Sequence, residues 1–348
     1  MGVDVKFFDM SGPDDVRGLL AALQSLVPAR ISRLALAVKV EGTATINDFS
    51  RALALRALND ALAHVGLSAT PHQIIISTGC EGVCSPGGYL LAEIEGAPTP
   101  FPALAFGIGA STDLAPRDMI GPAHVEAAAL ATRRAMDQAG LAPSQIALVL
   151  LKSPVLTHSA AVVGGCEGKR GVNSTALSRA AGALGAGLAL GEIDASQVDD
   201  VALWGRPDLN AVRAMVFSGT ETQACEAIVL GNHPGLTPSI LSGLTLDLLD
   251  IDGLAAIAGR GDPAAGRKAV EKERIRASFF KAGVRGDGMM RGRRTTICSS
   301  ELDPDKQLRA AASGVLAAFL GSTQFFISGG TEHQTPPGQC FYASIISA

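Results

Sequence analysis

A chain of 348 residues, 47% hydrophobic and 18% charged, holds enough apolar material for two or three buried interiors and excludes a disordered polymer. A formal charge of -4 and an aromatic content of 4% exclude the basic, stacking surface of a nucleic-acid binder. No apolar run reaches membrane-spanning length, the first residues have no basic and apolar leader pattern, and the six cysteines are scattered without a CxxC pair. These features predict a reduced, cytoplasmic protein without a membrane partner. Zinc-ligand spacing is absent, and two buried thiols beside a turn is the simpler reading of Cys80 and Cys84.

In chain order, the apolar run 34–38 reads as a strand and ends in Lys39. An Ala/Leu-rich helical segment follows, with Arg51 at its start and Asp48 or Ser50 available as caps. The strand-like run 73–76 then opens into Ser77, Thr78, Gly79, Cys80 and Glu81. After the Pro-rich stretch 97–102 the order repeats: strand 146–151 into Lys152, a helix carrying Arg179, and strand 214–217 into Ser218, Gly219, Thr220 and Glu221. After a second Pro-containing stretch, 233–238, it occurs a third time. Strand 277–280 runs into Lys281, a helix carries Arg309, and strand 324–327 leads to Ser328, Gly329, Gly330, Thr331 and Glu332.

Strand-Lys, helix-Arg, strand-Ser in triplicate predicts an α/β fold of three homologous repeat units, 1–98, 103–233 and 238–348. The lysines lie 113 and 129 residues apart, so each unit is domain-sized. Taken singly, a Lys at a strand end or an Arg in a first helical turn is a surface charge, and Ser-Gly after a strand is a turn. Three copies in one order give these residues a shared purpose. Three units closing around a pseudo-threefold axis bring three Lys, three Arg and three Ser loops to one centre.

Such a centre suits a small planar ring with carbonyls on its edges. Each Arg offers a rigid donor fork, and each loop offers hydroxyl and backbone N–H groups. A Lys amine whose pKa is lowered by burial and neighbouring cations can take the proton of a Ser hydroxyl. With N–H donors for the oxyanion, that is acyl-transfer machinery for opening a cyclic amide or imide without a catalytic metal.

The segments 39–51, 178–192 and 328–334 resemble the cyanuric acid hydrolase/barbiturase family of ring-opening amidohydrolases, whose architecture is called the Toblerone fold. The resemblance covers essentially the whole chain. It implies that Arg51, Arg179 and Arg309 bind ring carbonyls, and that Lys39/Ser77, Lys152/Ser218 and Lys281/Ser328 are the Ser–Lys pairs. It further implies Lys152 as base and Ser218 as nucleophile, with Thr78, Gly219 and Gly329 beside the substrate, and a homotetramer. Two departures stand out in the first unit: Thr78 where the family shows Gly, and Ser85-Pro86 where it shows Pro-His. The family's structural divalent ion needs a Glu two positions after the third lysine; Gly283 stands there, so no cofactor or metal is expected. Cyanuric acid is the expected ring, with barbituric acid or another cyclic ureide or imide next. A binding protein that keeps the arginines without turnover, or an unrelated three-module scaffold, are the competing expectations.

Overall fold

The structure is a computed structural model and describes residues 2–26, 30–199, 203, 206–259 and 272–348. The first stretch contains β1 (Gly2–Asp9), α1 (Arg17–Gln24), β2 (Ile31–Val40), α2 (Ser50–His64), β3 (His72–Thr78) and β4 (Gly87–Ile94). The second contains β5 (Leu104–Ala110), α3 (Pro122–Ala139), β6 (Ile146–Pro154), α4 (His158–Val163), α5 (Thr175–Leu190), β7 (Ala214–Gly219) and β8 (Glu226–Asn232). The third contains β9 (Ile240–Thr245), α6 (Ile251–Ile257) and β10 (Ile275–Lys281). It continues with the short pair β11 (Met289–Met290) and β12 (Arg293–Arg294), then α7 (Pro304–Leu320), β13 (Phe326–Ser328) and β14 (Cys340–Ile346).

The three four-stranded sheets share one topology: β1-β4-β2-β3, β5-β8-β6-β7 and β9-β14-β10-β13. In each, the last strand of the stretch lies antiparallel between the first strand and the Lys strand, and the Lys strand pairs in parallel with the Ser strand. The Lys and Ser strands are joined by the Arg helix, the crossover that parallel neighbours require. The protein is thus three α/β repeats of one design.

The Lys strands read as unbroken apolar runs because both of their faces are covered. Ala35, Ala37, Leu148, Leu150, Ala277 and Phe279 point to a central core shared by all three sheets. Leu34, Leu36 and Val38 point the other way, under α1 and α2. In this central core Phe217 and Phe326 meet edge to face, their ring centroids 5.3 Å apart. Since side chains alternate along a strand, the residue two beyond Ala37, Leu150 or Phe279 must face the same axis. Those residues are Lys39, Lys152 and Lys281, and all three are buried.

The Arg helices start at defined caps. Ser174 Oγ accepts from the Leu177 N–H at 3.1 Å, and Asp303 Oδ1 accepts from the Lys306 N–H at 3.0 Å. At α2 the cap residue is Phe49, and Asp48 Oδ1 takes the Ser50 N–H instead, at 3.0 Å. In the second repeat α3 lies tightly on α5 because residue 185 is glycine; a Cβ there would run into the Val125 carbonyl. No helix among the described residues is long and apolar enough to cross a membrane.

Candidate active site

One cavity of about 350 Å³ lies where the three repeats meet, and residues of all three line it. Among them are Arg51, Ser77 and Thr78 of the first repeat, Arg179, Phe217 and Ser218 of the second, and Arg309, Ser328 and Gly329 of the third. Eight of the residues singled out from the sequence thus line one cavity; Gly219 and the three lysines are not part of its lining.

Each arginine reaches across to the loop glutamate of the following repeat. Arg51 Nε donates to Glu221 Oε2 at 3.0 Å. Arg179 grips Glu332 through Nε and Nη2, both at 2.7 Å, and Arg309 grips Glu81 through Nε at 2.8 Å and Nη2 at 2.6 Å. The result is a closed ring of three ion pairs, first repeat to second, second to third and third to first. Burial alone would raise the carboxyls of Glu81, Glu221 and Glu332, but their cationic partners hold all three below the usual range. These glutamates were not among the site residues expected from the sequence. Their recurrence at the end of each Ser loop was the available signal.

The ring divides the cavity into three corners, each with one Lys, one Arg from the preceding repeat and one Glu. In the first corner Lys39 Nζ lies 3.1 Å from Ser77 Oγ and donates to the Thr78 carbonyl at 2.9 Å. Burial, then the nearby Arg309 charge, pulls Lys39 down from 10.5 to about 8. In the third corner Lys281 Nζ lies 3.3 Å from Ser328 Oγ and donates to the Val216 carbonyl at 2.8 Å. Burial, then Arg179, pushes Lys281 well below the ordinary lysine value.

The second corner departs from this pattern. Lys152 Nζ donates to the Ile76 carbonyl at 2.9 Å and to the Ser218 backbone carbonyl at 3.4 Å, and is ion-paired with Glu221. It makes no hydrogen bond to the Ser218 hydroxyl and meets that residue through its backbone carbonyl, while Ser218 itself lines the cavity. Strand register gives the reason. Lys39 lies opposite Ser77 and Lys281 opposite Ser328, but Lys152 lies opposite Phe217. Phe217 therefore occupies the place of the serine, and Ser218 stands where the other repeats have Thr78 and Gly329. The sequence carried this too: Glu follows Ser77 and Ser328 by four residues, but Ser218 by three.

The arginines also differ. The Nη1 groups of Arg179 and Arg309 have no hydrogen bond among the described residues, so each leaves a donor edge toward the cavity. Arg51 has a partner at each nitrogen, Nε on Glu221, Nη1 on Thr78 Oγ1 at 3.1 Å and Nη2 on the Thr45 carbonyl at 3.2 Å, which leaves one further N–H on Nη1 and one on Nη2. Thr78, which stands where the family shows Gly, thus ties down Arg51. Asp305, a cavity residue not anticipated, is raised above its ordinary value by burial.

The divalent ion implied by the resemblance does not fit the residues near the third repeat's C-terminal loop. Gly283 offers no carboxylate, and a Cβ on it would collide with the Gln339 carbonyl. The loop's polar groups are satisfied internally: Thr335 Oγ1 on the Gln339 carbonyl at 3.0 Å, Gln334 Nε2 on the Gly330 carbonyl at 3.1 Å, and His333 Nδ1 at 2.8 Å from the Leu209 carbonyl.

Residues 4–347 match the family model described as amidohydrolase ring-opening protein. A cyclic amide hydrolase of Azorhizobium caulinodans is 35% identical, with 100% of each chain covered. A cyanuric acid amidohydrolase of a Methylobacterium species is 35% identical, over 94% of this chain and 92% of that one. Among solved structures, the cyanuric acid hydrolase of Azorhizobium caulinodans superposes with a TM-score of 0.87 at 32% identity, covering 99% of both chains. With the repeat architecture, the shared centre and a match along nearly its whole length, this chain belongs to the family of ring-opening amidohydrolases.

Proposed function

We propose that the protein hydrolyses a C–N bond of a small planar cyclic amide or imide held in the central cavity, using a Ser–Lys dyad. The observation that carries this reading is the pair of buried Lys–Ser couples facing one cavity beside arginines with free donor edges. Of the two couples, Lys39/Ser77 is assigned the chemistry. Ser77 Oγ is engaged by Lys39 alone, whereas Ser328 Oγ also rests 3.3 Å from the Gly329 carbonyl. Lys281/Ser328 then binds and polarises the ring.

In the proposed sequence the neutral Lys39 amine takes the Ser77 proton as Oγ bonds to a ring carbonyl carbon. The carbonyl oxygen becomes an oxyanion, for which the free Arg309 edge is the nearby cationic donor. As the C–N bond breaks, the Lys39 ammonium returns its proton to the ring nitrogen. Water then attacks the resulting ester, giving its proton to Lys39 and on to Ser77, so one water is consumed per ring opened. The three units 1–98, 103–233 and 238–348 together form one site, in a chain that assembles as a homotetramer.

Cyanuric and barbituric acids are the rings expected from the sequence, and the names of relatives favour the first. The uneven corners favour the wider alternative, another cyclic ureide or imide. The test is turnover of a cyclic amide panel, followed by loss of ring absorbance, with Ser77→Ala and Ser218→Ala alongside the native chain. Ser77→Ala is expected to lower kcat by about 1,000-fold or more and Ser218→Ala by less than about tenfold. Full activity in Ser77→Ala would remove that serine as nucleophile, and a native chain inert on every ring would remove the reading as a whole.

A further inference from the structure

We infer that Asp305 is a substrate-binding residue that accepts the N–H of an imide edge, while Arg179 and Arg309 donate to the carbonyls on either side of it. The inference rests on the cyclic amide reading above and deepens it by naming the ring edge that the site selects. The described lining of the cavity is rich in donors, and only Asp303 and Asp305 bring carboxylates to it. Asp303 Oδ1 is occupied as the cap of α7, where it takes the Lys306 N–H at 3.0 Å. Asp305 has no hydrogen bond and no ion pair among the described residues, yet it is enclosed enough for burial to raise its carboxyl above the ordinary value. A carboxylate withdrawn from water without a partner is costly, and here it stands open to whatever enters the cavity. Asn47 and Thr175 occupy the places four residues before the other two arginines, so this acceptor belongs to one side of the site alone.

The glycine pair of the third Ser loop shows where the arginines lie. A Cβ on Gly329 would come within 2.9 Å of Arg309 Nη1 and 3.4 Å of Asp305 Cβ. One on Gly330 would come within 2.5 Å of Arg179 Nε and 2.7 Å of its Nη2. Arg309, Asp305 and Arg179 therefore gather about one bare stretch of backbone, and the charges of Arg179 and Arg309 both act on the Asp305 carboxylate. With Nη1 of each arginine unpartnered, the three side chains offer donor, acceptor and donor. An imide edge, carbonyl–NH–carbonyl, offers the complement. A simple lactam has only half of that edge, and an N-alkylated imide sets a methyl group against the carboxylate. A ring that has lost its imide proton sets an anion there, so the neutral ring, whose carbonyls are the better electrophiles, is the form retained. Arg309 is also the oxyanion donor of the proposed sequence, so an edge held this way brings one of its carbonyls to Ser77.

The experiment is steady-state kinetics of the native chain, Asp305→Ala and Asp305→Asn on cyanuric and barbituric acids, both of which carry imide edges. Neither substitution removes a hydrogen bond of the native protein. Asp305→Ala is expected to raise KM by about 10- to 100-fold, the loss of one hydrogen bond to a charged acceptor, with kcat within about threefold of native. Asp305→Asn keeps a carbonyl acceptor and should bring KM back to within about tenfold of native. Unchanged kinetics in Asp305→Ala, a fall in kcat at constant KM, or an Asn variant no better than Ala would each overturn the inference and leave the ring-opening reading intact. With the native chain alone, N-methylglutarimide should compete with ring opening at least about tenfold more weakly than glutarimide, from which it differs only at the imide nitrogen. No difference between the two would overturn the inference without any variant. A native chain inert on every ring would overturn the ring-opening reading as well.

Discussion

Replacing Lys39 by Met should lower activity and, at neutral pH, raise stability. Loss of a general base costs about 100- to 10,000-fold in rate, which at about 1.36 kcal/mol per decade is about 3–5 kcal/mol of barrier. Because Lys39 is held at about 8 and acts as the neutral amine, kcat/KM of the native chain should climb with pH and level off above about 8. At pH 6 only about 1% of Lys39 is neutral, so activity there should be about 100-fold below the plateau. The stability term has its own sign. The folded value is about 8 and the ordinary lysine value is 10.5, so between them the unfolded chain holds more protons, and native stability rises with pH across that window. Below pH 8 the buried ammonium costs about 3 kcal/mol relative to its neutral form. Lys39→Met removes that cost and loses two hydrogen bonds worth about 1 kcal/mol each. The net is a gain of about 1 kcal/mol at pH 7, turning into a loss above about pH 9, which at pH 10 reaches about 1 kcal/mol. Urea denaturation at both pH values and pH–rate profiles from 6 to 9 measure this. A variant within tenfold of native activity, or a native profile flat across that range, would refute the assignment of Lys39 as base.

Three further outcomes follow from the packing. Glu221→Gln leaves Arg51 and Lys152 buried without their carboxylate and should cost about 3–5 kcal/mol in denaturant unfolding. Gly185→Ala drives a methyl into the α3 backbone and should cost about 1–3 kcal/mol, seen as a lower Tm. His124 is fully buried and held at about 4 by burial, against an ordinary value of 6.5. The unfolded chain therefore binds the extra proton between those values, and about 3 kcal/mol of stability is lost as pH falls from 6.5 to 4. His124→Gln should flatten that part of the pH–stability curve.

The three-repeat fold and the cast of the site were legible in the sequence because Lys, Arg and Ser recur in one order, each tied to a strand end or a helix start. Pairing was less legible. Lys152 and Ser218 were paired by the resemblance; strand register, set by the β6–β7 ladder, puts Phe217 opposite the lysine. A one-residue difference in loop length was the trace of it. The glutamates were visible in each loop, but their partners belong to the neighbouring repeat, 153 to 228 residues away. Local spacing carries no information on which units touch. The engagement of Arg51 by the Thr45 carbonyl and Thr78 hydroxyl likewise depends on the folded path of the loop before α2.

The ring of Arg–Glu pairs bears on how such a site could change over time. Every corner is assembled from two repeats, so three identical subunits could build this centre only as an exact threefold copy. Any substitution would then appear at all corners at once, and an aromatic residue in the serine position would abolish every nucleophile together. Fusion of the repeats into one polypeptide lifts that constraint. One corner can then change its contacts while the other two retain theirs.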